Sequence, residues 1–190
     1  MEKIRTFVAI AISPELQQAF GELLQAMRRI PGDVKWVAPE SIHLTLKFLG
    51  ELTPDEVHRV FQGVETAVAN TPAFSLATAG QGAFPSLKNP RVFWIGLKES
   101  GDGRLIPLQK RIEEALQTQG FAPEKRRFKA HLTVGRVRRP RNLRAITEAF
   151  VKYPFPEITF PVKEVLVMKS RLTPQRAYYT IQKAFPLQNH

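Results

Sequence analysis

Apolar and polar positions along the chain change period several times, and each change marks an element. Thr6–Ile12 is apolar and rich in β-branched residues, so it predicts a buried strand that stops at Ser13-Pro14. Ser13 has the chemistry of an N-cap and Pro14 suits the first helical position. Leu16, Phe20, Leu23, Leu24 and Met27 then recur at helical spacing up to Pro31-Gly32. Ile42–Leu49 alternates as a strand and is expected to end at Gly50. Thr53-Pro54-Asp55-Glu56 has the form of a capping box and opens a helix carrying Val57, Val60, Phe61, Val64 and Val68. Phe74–Phe84 reads as extended, interrupted by Gly80 and Gly82.

The order then recurs. Val92–Leu97 predicts a strand, Leu105–Leu116 a helix stopped by Gly120, and Phe128–Val137 a strand. Leu143–Phe150 reads as helical. Ile158–Met168 reads as extended with a corner at Pro161, and Tyr178–Phe185 adds a last strand. The chain thus repeats strand, helix, strand, helix, strand, with approximate halves 1–88 and 89–190. Two copies are too few for a solenoid, which needs three or more repeats. They predict a single bilobal α+β domain over 1–190, a pseudo-twofold arrangement of two antiparallel sheets flanked by helices, with a central cleft.

One polar signature appears in both copies: His43-Leu44-Thr45-Leu46 and His131-Leu132-Thr133-Val134. Along a strand, residues i and i+2 share a face, so each His is co-facial with its Thr while the apolar residues between them anchor the other face. A lone histidine on a half-buried strand is most often structural, and threonine is common in strands for its packing. The duplication reverses that preference for the histidines, because a core has no use for a repeated His-x-Thr.

The chemistry this pairing serves is displacement at phosphorus. One proton leaves the incoming water and another reaches the departing oxygen on the opposite side. Imidazoles titrate near neutrality, so one can be neutral while the other is protonated. Threonine hydroxyls can donate to the non-bridging oxygens. The other histidines, His58 within a helix and His190 at the end, lack such a partner and are expected on the surface.

Charge votes only weakly on the partner. The 28 Lys and Arg residues against 17 Asp and Glu give a net charge of +11, an attraction toward polyanions such as RNA, DNA or an anionic membrane, among which charge alone does not choose. Lys125-Arg126-Arg127 with Lys129, and the stretch from Arg136 through Arg144, surround the second signature and read as an RNA track, although charge runs are commonly just solvated faces. Arg136, five residues past His131, faces away on an ideal strand; a bulge at Gly135 would turn it toward the cleft. Arg136 and Arg91 are candidate phosphate contacts, and Phe48 and Trp36 candidate platforms for a terminal base, against the ordinary burial of large aromatics in a core.

Absence of cysteine excludes disulfides, thiolate metal sites and a thiol nucleophile. The apolar run Phe7–Ile12 behind Lys3 and Arg5 is short for a signal sequence, and Ser13-Pro14-Glu15 does not resemble a cleavage site. No stretch approaches the roughly 20 apolar residues of a membrane span. The expectation is a cytoplasmic protein, a monomer, with no membrane partner.

These motifs resemble those of the two-histidine (2H) phosphoesterase superfamily, defined by paired His-x-Thr/Ser-x signatures, and within it the LigT-like RNA 2′,3′-cyclic phosphodiesterases. The likeness extends through Arg5-Thr6-Phe7-Val8-Ala9-Ile10, Trp36-Val37, Ser41 through Gly50, Arg91 through Gly96, His131 through Arg136, and Met168-Lys169-Ser170. The resemblance implies a bilobal fold with both signatures in the cleft and hydrolysis without metal or other cofactor. It also implies conversion of a terminal 2′,3′-cyclic phosphate on RNA, tRNA fragments included, to a 2′-phosphate. It further implies a reversible 2′-5′ RNA ligase activity that joins tRNA halves with a ribose hydroxyl replacing water, and that His43 is the proton donor, His131 the proton acceptor, and Thr45 and Thr133 the phosphate contacts. The residues alone leave the order of the two histidines open. They also leave open the same site acting on small cyclic nucleotides, a non-catalytic RNA-binding module, and a metal-dependent phosphodiesterase, although His-x-Thr lacks the dense His/Asp clusters of two-metal sites.

Overall fold

The computed structural model describes residues 3–99, 101, 103–173 and 177–188. Its elements run β1 (Ile4–Ala11), α1 (Pro14–Met27), β2 (Val34–Trp36), β3 (His43–Leu52), α2 (Pro54–Val68), β4 (Phe74–Pro85), β5 (Pro90–Glu99), α3 (Leu105–Thr118), β6 (His131–Val137), α4 (Arg144–Lys152), β7 (Thr159–Val162), β8 (Glu164–Leu172) and β9 (Ala177–Pro186).

The first two helix starts are made by the residues the sequence marks. Ser13 Oγ accepts from the Leu16 amide at 3.2 Å, with Pro14 in the first turn. Thr53 and Glu56 form a reciprocal box: the Glu56 amide donates to Thr53 Oγ1 at 3.3 Å, and the Thr53 amide donates to Glu56 Oε2 at 2.7 Å. Both caps satisfy amides that a helix N-terminus otherwise leaves unpaired. Helices α2 and α3 pack together over β1, β3, β8 and β9. Their close approach needs Gly63, where a Cβ would lie 2.9 Å from Leu116 Cδ2.

The strands form one antiparallel sheet in the order β7-β4-β5-β6-β3-β1-β8-β9, with β2 added to β6. The two expected sheets are the two halves of this order, and they join edge to edge where Leu44 of β3 pairs with Leu132 of β6. Each half draws strands from both parts of the sequence repeat: β8 and β9 flank β1, while β4 lies beyond β5 and β6. The spatial halves therefore do not follow a division of the chain at 88/89. Past its junction with β3, β6 changes partner and pairs with β2 from Val34↔Val137 to Trp36↔Gly135. The sheet opens at that point, and one continuous apolar core fills its helix-covered side.

Several boundaries differ from the sequence expectation. Strand β3 does not stop at Gly50 but runs to Leu52; the glycine's φ of +75° and a register shift against β1 absorb an irregularity within the strand. The region after Phe128 becomes a strand only at His131. The corner in Ile158–Met168 falls at Lys163, not Pro161, and is sharp enough that β7 pairs with β4 while β8 pairs with β1. Pro161 sits within β7, an edge strand, where a missing amide is tolerated. The short strand β2 carries too few residues for its period to be read.

Candidate active site

The open side of the sheet, where β3 and β6 meet, holds a cavity of about 640 Å³ lined by His43, Thr45, His131 and Thr133. Leu44 and Leu132, fully buried, point to the helix side, as strand alternation requires. The antiparallel register fixed by Leu44↔Leu132 sets His43 opposite Thr133 and Thr45 opposite His131. The two histidines then stand on one diagonal of adjacent strands, where neighbours lie about 7–8 Å apart and their Cβ atoms somewhat closer. That gap suits a phosphorus atom with a ring on either side.

Each imidazole is held the same way. Nδ1 of His43 donates to the Ser41 carbonyl at 2.8 Å, and Nδ1 of His131 donates to the Lys129 carbonyl at 2.7 Å. A carbonyl only accepts, so both contacts place the neutral ring's proton on Nδ1 and leave Nε2 for the substrate. Phe7 stacks on His43 with centroids 4.8 Å apart, and Tyr179 meets the same ring edge-on at 5.1 Å. Phe84 meets His131 edge-on at 4.9 Å. Burial lowers the pKa of both histidines. Their carbonyl hydrogen bonds oppose the shift, and the Arg136 guanidinium adds to it; Lys129 adds further at His131.

A matched pair of bulges shapes the rest of the cleft. On β3, Val8 pairs with Lys47 and Ala9 with Thr45, leaving Leu46 as the extra residue. On β6, Phe93 pairs with Gly135 and Trp94 with Thr133, leaving Val134 as the extra residue. Each bulge reverses the alternation, so Leu46-Lys47 and Val134-Gly135 are consecutive buried pairs. Phe48 and Arg136, each five residues past its histidine, consequently line the cleft. Phe48 is 51% exposed, and the Arg5 guanidinium lies 4.6 Å above its ring. Trp36 lines the cleft while its ring packs on Phe93 and Phe150, at centroid distances of 5.8 and 6.5 Å.

Arg91 takes a different place. It is exposed on β5 and does not line the cleft. His58 is exposed on α2 with its ring edge toward Phe61, and His190 lies outside the described residues. Residue spacing did not single out Arg5, Phe7, Lys35, Ser170 or Tyr179 as site residues, yet all line the cleft. Arg5 and Phe7 had a signal, since alternation puts both on one face of β1. Ser170 and Tyr179 had none in their own segments: they face each other across β8 and β9 and reach the cleft only because β8 lies beside β1. Burial raises the Tyr179 pKa, opposed by Arg136 and Arg5.

Among the described residues, no three His, Cys, Asp or Glu side chains group as a metal site, and no helix is long and apolar enough to cross a membrane.

The profile of the 2′-5′ RNA ligase superfamily matches residues 12–173. The RNA 2′,3′-cyclic phosphodiesterase of Archaeoglobus fulgidus is 35% identical over 183 residues, covering 96% of this chain and 99% of that protein. A protein of the same name from Methanothermobacter thermautotrophicus is 31% identical over 97% of this chain and 100% of its own length. At the level of fold, the chain is similar to E. coli LigT complexed with 3′-AMP, with a TM-score of 0.75, 24% identity, and coverage of 98% and 99% of the two chains. A Thermus thermophilus structure is similar at a TM-score of 0.76 and 22% identity, covering 97% of this chain and 98% of its own.

Proposed function

The chain belongs to the 2′-5′ RNA ligase superfamily, and from that premise we propose that it is an RNA 2′,3′-cyclic phosphodiesterase whose acid–base pair is His43 and His131. The observation that carries this reading is the diagonal placement of two imidazoles across Leu44↔Leu132, each with Nδ1 tied to a carbonyl. A non-catalytic RNA-binding surface would have no reason to orient two rings alike.

In the proposed reaction, Nε2 of His131 takes a proton from water as the water oxygen bonds to phosphorus. The bond from phosphorus to the ribose 3′ oxygen breaks, and Nε2 of protonated His43 gives that oxygen its proton. The product carries a 2′-phosphate and a free 3′-hydroxyl. His131 ends protonated and His43 neutral, and exchange with solvent restores both. Thr45, Thr133 and Arg136 face the non-bridging oxygens and stabilise their charge. His43 must be protonated although burial and Arg136 lower its pKa. The anionic phosphate supplies what is missing, since a negative charge beside the ring favours imidazolium. Phe48, roofed by Arg5, offers a π-face to the terminal base.

With a 5′-hydroxyl in place of the attacking water, the same pair would open the cyclic phosphate into a 2′-5′ linkage, the 3′ oxygen again leaving as a hydroxyl, and this is the activity for which the superfamily is named. The deciding experiment incubates purified protein, in chelator, with an RNA ending in a 2′,3′-cyclic phosphate. A 2′-monophosphate product is expected; a 3′-monophosphate, or dependence on added metal, would overturn the mechanism.

A further inference from the structure

A second cavity, of about 630 Å³, lies on the lobe that carries His131, between the β4–β5 turn, the β6–α4 connection and one face of α4. Its walls are mainly aliphatic, from Leu87, Pro90, Pro140, Leu143 and Val151. Leu87 and Val151, 44% and 40% exposed, lie together in this one apolar patch. One wall carries Thr147, only 8% exposed, whose Oγ1 is buried with no hydrogen-bond partner among the described residues. An unpaired buried hydroxyl is costly, and a bound group with a polar edge would relieve it. The rim is cationic: Lys88, Arg144 and Lys152 surround it, while the acid at the rim, Glu148, is engaged by Arg144 at 2.8 Å.

One basic segment connects this cavity to the active site. Arg136 lines the cleft; Pro140, Leu143 and Arg144 line the second cavity; and Arg138, Arg139 and Arg141 are exposed between them. The four steps from Arg136 to Pro140 span at most about 14 Å, the length of a few nucleotides. Arg91 falls on the same route, between Pro90 at the second cavity and Val92, which pairs with Arg136.

We propose that this cavity binds an unpaired nucleobase of the substrate RNA, a few nucleotides upstream of the terminal phosphate, with the intervening phosphates along Arg91 and Arg138–Arg141. The inference rests on the cyclic-phosphodiesterase reading and extends it to a preference for single-stranded ends. Aliphatic walls take the faces of the base, and a turn of the Thr147 side chain brings its hydroxyl, able to donate or accept, to the edge without selecting one base.

The test compares a nucleoside 2′,3′-cyclic phosphate with a cyclic-ended single strand of about ten nucleotides, a length within the usual reach of such sites. Val151→Glu places a negative charge at the rim on an exposed helix position, and Thr147→Val removes the hydroxyl at constant shape. For the oligonucleotide, Val151→Glu should raise KM about five- to tenfold with kcat unchanged, the equivalent of losing one modest base contact. Thr147→Val should raise it less. Neither variant should alter hydrolysis of the mononucleotide. An unchanged oligonucleotide KM in Val151→Glu, or equal losses on both substrates, overturns the proposal. A binding titration with a 2′-phosphate-ended oligonucleotide carrying 2-aminopurine upstream reads the cavity without turnover. If wild-type protein hydrolyses neither substrate, the catalytic reading fails while this titration still decides the pocket: a fluorescence change lost in Val151→Glu supports it, and the same change in both proteins overturns it.

Discussion

Leu44 and Leu132 face each other in the register pair that joins β3 to β6, and both are fully buried. Each precedes a threonine and follows a histidine, so this apolar contact on the helix side determines where four polar groups stand on the cleft side. The geometry of the candidate site is thereby set by core packing, which is rigid because interiors are close-packed. The consequences can be measured.

Replacing either histidine with alanine should lower kcat on a cyclic-ended RNA by about 10²–10⁴, the contribution of a positioned acid or base. Losses from the double variant should fall well short of the product of the single losses, since the pair acts as a unit. Circular dichroism would establish that folding is intact. Thr45→Val and Thr133→Val should each cost about 10–100-fold, less than loss of either histidine, as expected for one hydrogen bond to a charged group. Retention of full activity in His43→Ala would remove the proposed acid.

The pH dependence has a definite sign. Burial disfavours the imidazolium form, so both rings release their protons below the ordinary value of about 6.5. In the free enzyme, kcat/KM should rise as one ring deprotonates and fall as the other does, with its maximum below about pH 6.5 and both limbs belonging to the pair. Bound phosphate should carry the falling limb of kcat to higher pH. Arg136→Gln removes a positive charge that depresses both rings, so both limbs of kcat/KM should move upward. A flat profile would contradict acid–base catalysis by imidazole.

At Gly135 the β6 backbone passes close beneath Trp36, a side chain of the cleft wall. A Cβ there would lie 2.6 Å from Trp36 Cε3 and 2.9 Å from Val34 Cγ1. Gly135→Ala should force Trp36 off its seat and cost about 1–3 kcal/mol, as overpacking does. Urea unfolding should show the lower midpoint, and KM should rise because Trp36 also lines the cleft.

Lys47 occupies on β3 the place that Gly135 occupies on β6. Its ammonium donates to Glu113 Oε2 at 2.6 Å and to the Ala122 carbonyl at 2.9 Å, with side-chain exposures of 3% for Lys47 and 17% for Glu113. Lys47→Met should destabilise by about 2–3 kcal/mol, somewhat under the figure for breaking a fully buried pair because water reaches Glu113. The double variant Lys47→Met, Glu113→Leu should recover most of that loss in chemical denaturation. A double variant as unstable as the single would mean that Lys47 acts through packing alone.

Much of this was legible in the chain. The capping residues Ser13, Thr53 and Glu56 announced two helices because their hydrogen bonds are local. The repeated His-Leu-Thr announced two co-facial polar pairs because side-chain direction along a strand follows parity alone. Even the turn of Arg136 into the cleft had a local sign in Gly135. Parity could not show the matching bulge at Leu46, which has no glycine and turns Lys47 inward to Glu113 on α3.

What the sequence determined by itself, then, was which residues share a face and where helices begin, since both depend on neighbours a few positions away. Only the tertiary structure decided that β3 lies against β6, that β8 and β9 return to flank β1, and that Tyr179 thereby meets His43 while Ser170 joins the cleft wall. Strand order depends on which apolar faces can be buried together across distant segments, and no window of sequence contains both partners.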